Sequence, residues 1–264
     1  MTVGDSGAMA YSSDGTAWTP MNVGAASWLG VTHGNDRYVA VGESGFLAHS
    51  ADGTTWTTLT LGSGFWNDVT FGGGRFVAVG NIGTMAHSTN GISWTPLNLG
   101  FENWGSVTFG NGRFVSVGSN GSMAHSTNGI NWTPLNVGSG HWLGVTFGNG
   151  RFVAVGENGI MAHSTNGSTW TPISVGFGIW SGVTFGSGRF VSVGTNGAMA
   201  HSTDGINWTP INVGIRSWFD VAYSNGRFVA VGITGAVAHS TNGINWTPIT
   251  VGSRTWFGVT AGGL

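Results

Sequence analysis

The stretch Ser126–Trp132, STNGINW, recurs letter for letter at Ser240–Trp246. Near-copies stand at Ser12–Trp18, Ser50–Trp56, Ser88–Trp94, Ser164–Trp170 and Ser202–Trp208. The tryptophans that close these stretches, Trp18, Trp56, Trp94, Trp132, Trp170, Trp208 and Trp246, are each 38 residues apart. A second set, Trp28, Trp66, Trp104, Trp142, Trp180, Trp218 and Trp256, keeps the same spacing, and the two sets account for all 14 tryptophans. Seven such periods take up the whole chain. A repeat of this length signals a solenoid or a propeller.

Within one period four short extended runs appear. From Trp142 they read WLGVTF, RFVAVG, IMAHS and TWTPISV, separated by GNG, ENG and TNG. Each run is rich in Val, Phe, Thr and Trp, and Asn-Gly supplies the positive φ angles of a tight hairpin turn. No window carries an apolar 3.6-residue period, so helix is excluded. Proline occurs six times, always two residues after a tryptophan of the first set, as at Pro134. It cannot donate to a ladder, which makes the fourth run an outer edge. The expected fold is therefore all-β, a seven-bladed β-propeller of four-stranded antiparallel blades with a 38-residue repeat. It forms a single domain, 1–264, with blades near 28–61, 66–99, 104–137, 142–175, 180–213 and 218–251. The last blade combines 256–264 with 1–23, so strands from both termini close the ring.

These residues resemble a known family. STDGINW at Ser202–Trp208 is similar to the Asp-box, the bacterial neuraminidase repeat, written Ser-x-Asp-x-Gly-x-Thr-Trp. The resemblance implies a propeller with the box on the hairpin between third and fourth strands. Each box here is one residue shorter, and the acid is Asp only at Asp14, Asp52 and Asp204, with Asn90, Asn128, Asn166 and Asn242 elsewhere. Tectonin-type lectin propellers, with paired tryptophans and a similar period, are a weaker resemblance.

Composition limits the function. The chain has 264 residues, 40% of them hydrophobic, with 49 glycines and only 7% charged side chains. Net charge is −2 and every basic side chain is arginine, so no electrostatic footprint for nucleic acid is present. No apolar run is long enough to span a bilayer. MTVGDSGAMA already reads as repeat, so no leader is expected within it. Without cysteine there is no disulfide or thiol chemistry.

Comparison of the seven internal copies separates scaffold from site. The first-to-second turns and the boxes share one face and hardly differ. The other face carries the second-to-third turns (DSG, ESG, NIG, SNG, ENG, TNG, ITG) and the blade connectors (AAS, SGF, FEN, SGH, FGI, IRS, SRT), which diverge. A diverging face is free to bind, and equally free to be idle loop. The second tryptophan ring, Trp28 through Trp256, borders it. There an indole either stacks on a sugar or anchors a partner, or fills the wedge between blades. Non-repeating side chains add candidates: Glu102, His141, and Arg216 with Arg254 on adjacent connectors, placed to clamp a carboxylate or phosphate. The six repeating histidines, His49 to His239, lie on separate blades, where a local hydrogen bond is expected and a shared metal is not. The repeating arginines, Arg37 to Arg227, read as hairpin braces.

No enzyme is expected. The sialidase chemistry of the resembled family needs an arginine triad, a nucleophilic tyrosine and an acid. The three tyrosines instead occupy repeat positions, and no carboxylates fall at a spacing suited to acid–base work. No metal or cofactor is expected. The reading is a non-enzymatic recognition module, a lectin-like propeller whose partner is a glycan or a surface. The alternatives are a structural or attachment component of an assembly such as a virus particle or tail, and a protein-interaction scaffold.

Overall fold

Asn111 and Gly112 are both left-handed, at φ 48° and 72°, and this pair turns one strand back on the next in a two-residue loop. The turn recurs around the ring in the computed structural model, which describes residues 1–176 and 178–261. The expected connector residue 177 and the last residues of the closing blade, 262–264, lie outside the described residues.

Each blade is a four-stranded antiparallel sheet ordered as in the chain. In the fourth blade the strands are Trp142–Gly148, Arg151–Gly156, Ile160–Ser164 and Thr171–Ser174, from the centre outward. The proline-bearing strand is the outer edge, where Pro172 faces Ala162. The seventh sheet joins Trp256–Val259 to Thr2–Gly4, Ala8–Tyr11 and Thr19–Asn22. Its register places Thr2 against Val259 and Val3 against Gly258, and the Met1 amino group donates to Thr260 O at 3.1 Å. The ring closes without a covalent bond.

The core lies between blades. Val115, Val117 and Met123 of the third blade pack with Trp142, Val145 and Phe152 of the fourth, and the pattern recurs around the ring. Valine and alanine fill the middle strands because both faces of each sheet are covered. Each inner strand carries a bulge just after its tryptophan, for instance between Trp142 and Gly144. The bulge turns the residues that follow the tryptophan toward the central axis.

The boxes brace the outer hairpins. Asn128 Oδ1 accepts from the Ile130 and Asn131 N–H groups at 2.9 Å, while Ser126 Oγ accepts from Gly129 N at 2.9 Å. Asp and Asn serve equally, since a carbonyl-type oxygen is all the turn requires. Where the acid is Asp52, the Thr55 and Thr54 N–H groups hold its carboxyl well below the usual carboxylate range.

Candidate binding face and central channel

The diverging turns and connectors do fall on one face, and their backbone is not loose. The Gly121 N–H donates to Gly140 O, and Val137 N–H donates to Gly121 O, so a connector is tied to the turn of its own blade. Glu157 N–H donates to His141 O, tying the same connector to the next blade. Equivalent bonds recur around the ring. Side chains therefore diverge on a repeated, hydrogen-bonded frame.

The second tryptophan ring does not present itself on this face, which corrects the stacking expectation. Trp28, Trp66, Trp104, Trp142, Trp180, Trp218 and Trp256 are 1% to 5% exposed. Six of them donate the indole N–H to a carbonyl five residues earlier, as Trp142 does to Val137 O at 3.1 Å. The indole leans inward into the wedge between blades, and neither of its faces is open to a sugar.

The arginine pair is also committed. Arg216 donates to Thr234 O at 3.0 Å, and Arg254 lies 3.8 Å from Asp5. Each braces the neighbouring turn. His141 is exposed on its connector, and Glu102 accepts from Ser119 Oγ at 3.3 Å and Asn120 Nδ2 at 3.4 Å.

What the face does present is apolar. Phe101 is 90% exposed, Ile215 91%, Ile82 67% and Phe65 44%. Three of these belong together. Asn81 N–H donates to Phe65 O, Gly83 N–H to Glu102 O, and Ile82 N–H to Asn103 Oδ1 at 3.0 Å. Phe65, Ile82 and Phe101 thus stand on one stitched rim, with Glu102 following Phe101 in the chain and its carboxylate turned to Ser119 and Asn120. Ile82 is strained as well as exposed. It sits at φ 55°, a left-handed position that the other six copies give to Ser6, Ser44, Asn120, Asn158, Asn196 and Thr234. A β-branched residue is a genuine outlier there. Ile215 borders a second hollow of about 280 Å³, with Val213, Arg216, Trp218 and Ile249 in its walls.

The central channel holds a feature that sequence reading missed. Side chains and backbone of all seven inner strands enclose about 180 Å³, including Asp68 and Asp220. Asp68 accepts from Ser106 Oγ at 2.8 Å, from Val107 N at 2.9 Å and from Val69 N at 2.8 Å. Asp220 accepts from Val259 N at 2.9 Å and Val221 N at 2.8 Å. Each carboxylate spans two blades. Burial nonetheless pushes Asp68 up to about 6 and Asp220 up to about 7, the charge of Asp68 adding to the shift at Asp220. A signal existed: the same repeat position is glycine at Gly30, Gly144, Gly182 and Gly258.

The histidines behave as scaffold. Each Nδ1 faces the repeat arginine of its own blade, from Arg75 with His87 at 2.7 Å to Arg37 with His49 at 3.2 Å. Burial first, and then the guanidinium, hold these histidines below their ordinary value. Among the described residues, no group of three or more His, Cys, Asp or Glu side chains is placed to hold a metal ion.

No family model matches the chain, and no curated protein matches it in sequence. Solved structures match its fold. It is similar to the protein described as YCF48 bound to D1 peptide, at 20% identity and TM-score 0.67, covering 94% of this chain and 86% of that one. YCF48 from Cyanidioschyzon merolae matches at 19% identity and TM-score 0.66, over 86% of each chain. The WD40 β-propeller domain of Doa1 matches at 14% identity and TM-score 0.72, over 98% of this chain and 90% of that one. At these identities the likeness is one of fold.

Proposed function

We propose that this propeller is a non-enzymatic binding module that docks a protein partner on its connector face. The observation that carries the reading is Ile82 with its neighbours. An exposed isoleucine at a left-handed position, beside exposed Phe101 and Phe65, is not required by the fold, whose other copies fill the position with Ser, Asn or, at Thr234, Thr. Apolar anchors on a rigid rim are what a protein interface supplies, with aromatic side chains carrying much of the energy. A propeller of similar fold has been solved with a peptide bound, which supports the reading. Glu102 at the edge of the patch favours a partner segment that carries a basic residue beside its apolar ones.

The lectin-like reading loses its main supports, since the indoles it invoked are buried and the connector arginines bond to neighbouring turns. A role as an attachment or structural component of an assembly would use the same apolar rim. The resemblance of the boxes to Asp-boxes concerns hairpin bracing, and no sialidase chemistry is carried over with it.

A displayed peptide library panned on the full chain tests the reading. Selected peptides are expected to carry adjacent apolar residues, and the combined Ile82→Ser and Phe101→Ser variant to lose them by ten-fold or more, as expected of about 1.4 kcal/mol or more. Failure to select any peptide, together with saturable glycan-array binding that the variant leaves intact, would overturn it.

A further inference from the structure

Every cation of this chain is engaged away from its two most enclosed carboxylates, Asp68 and Asp220. The chain has eight arginines and no lysine. Six of the arginines face the histidines of their own blades. Arg216 donates to Thr234 O, Arg254 lies beside Asp5, and the Met1 amino group donates to Thr260 O. Asp68 and Asp220 are 152 residues apart, four periods of 38, which puts them nearly opposite one another around the ring of seven.

The cavity between them is the connector-face half of the central channel. Its walls are the residues one to three places after each tryptophan of the second ring, from Leu29 round to Val259. It holds about 180 Å³, and among the described residues no titratable side chain but Asp68 and Asp220 lines it. One side of its mouth is apolar, where Phe219 and Phe257 pack with ring centroids 5.6 Å apart. On two opposite sides the same pair of acceptor oxygens converges. A Cβ on Gly30 would stand 3.1 Å from Asn67 O and 3.2 Å from Asp68 Oδ1. One on Gly182 would stand 2.9 Å from Phe219 O and 3.1 Å from Asp220 Oδ1. Glycine leaves each of these spaces open, bordered by a carbonyl and a carboxylate oxygen together.

We propose that this half-channel, independently of the apolar rim, is a binding site for a primary ammonium group on an apolar stem, as in an alkylamine or a lysine side chain. An ammonium nitrogen has three donors and no acceptor, which suits a wall that offers acceptor oxygens on opposite sides. Enclosed carboxylates are stabilised by an opposite charge, and no cation of this chain supplies it. The stem passes the Phe219 and Phe257 side of the mouth, where ring faces also attract a cation. A guanidinium fits less well, because it engages both oxygens of one carboxylate in its plane, and at Asp68 and Asp220 both already accept from N–H groups. A hard divalent ion asks for six or more oxygens, and among the described residues no group of three acidic or histidine ligands is placed to hold one.

The test is a titration of the full chain with n-butylammonium. It is followed by the amide NMR signals of Val69, Val107, Val221 and Val259, whose N–H groups donate to the two carboxylates. Saturable shifts centred on these amides are expected at pH 8, with n-butanol binding at least about ten-fold more weakly. Burial keeps protons on both carboxylates at low pH, so affinity should fall roughly 10- to 100-fold between pH 8 and pH 5. Asp68→Asn combined with Asp220→Asn should abolish binding. The peptide acetyl-Leu-Lys-Leu-amide separates the two sources of the group. Binding about ten-fold or more tighter than the amine assigns the site to a lysine of a partner segment, and any smaller gain assigns it to a free amine. Absence of saturable shifts at these amides, equal affinity for n-butanol, displacement of the amine by a lower concentration of Ca²⁺, or unchanged binding to the double variant would each overturn the site. Should the double variant not melt cooperatively, the pH series on the wild type decides, and an affinity that stays flat from pH 5 to pH 8 defeats the proposal.

Discussion

The two faces of this disc share a backbone rule and differ in what their side chains are for. On the hairpin face every copy repeats the box, and six of the seven repeat the same Arg–His contact and left-handed turn, because each of these satisfies a backbone or packing need. On the connector face the backbone bonds recur just as faithfully, yet the side chains do not. Main-chain hydrogen bonds alone are enough to hold a loop of this kind. Apart from braces such as Arg216 and Asn103, side chains there carry little structural duty, and Phe101 and Ile82 are exposed apolar groups among them.

The contrast is sharpest at the tryptophans of the second ring, which begin on the connector face but belong to the core. Trp142→Ala should lower stability by about 3–5 kcal/mol, read from denaturant or thermal melts, because a large buried ring and its hydrogen bond are both lost. A change below about 1 kcal/mol would return this ring to the binding face and break the comparison.

Next comes the channel between the faces. Asp220 is raised in the folded state from 3.8 to about 7, so the folded chain holds a proton that the unfolded chain has already released. Its contribution to stability is therefore fully present below about pH 4 and is lost as pH rises toward 7. The six depressed histidines slope the other way and lose stability as pH falls. The difference between wild type and Asp220→Asn isolates the carboxyl. Between pH 5 and pH 8 that difference should move in favour of the variant by roughly 2–4 kcal/mol. A difference independent of pH would mean that Asp220 is well solvated.

The smallest effects compare the faces directly. Asn128→Ala strips the box of an oxygen that accepts two N–H groups and should cost about 1–2 kcal/mol. Phe101→Ser, on the connector face, should leave the melting temperature nearly unchanged, within about 0.5 kcal/mol. A destabilising Phe101→Ser would show the exposed ring to be part of the scaffold.

Much of this architecture is readable in the residues because periodicity and turn chemistry are local properties. Asn-Gly pairs announce hairpins, Pro134 and its counterparts announce the outer edge, and the spacing counts the blades. The candidate site is less legible. Burial of Trp142 depends on the direction its indole leans between two blades, which only the packed ring decides. Asp68 and Asp220 meet across a channel that exists only once the ring has closed, although their departure from a glycine position was visible. Exposure of Ile82 and Phe101 is likewise a property of the assembled rim.

The seam between Thr2–Gly4 and Trp256–Val259 also has a consequence for the history of each molecule. During synthesis the strands Thr2–Gly4 and Ala8–Tyr11 emerge first and keep one edge bare until Trp256–Val259 follows. The seam is made by groups that every copy of the chain carries, such as the Thr2 hydroxyl donating to Gly258 O, so it does not distinguish which molecule supplies the strand. In a crowded polysome a neighbour's strand can arrive first. Reciprocal exchange of this kind gives dimers whose blades are all native, and one-way exchange gives open chains that grow head to tail.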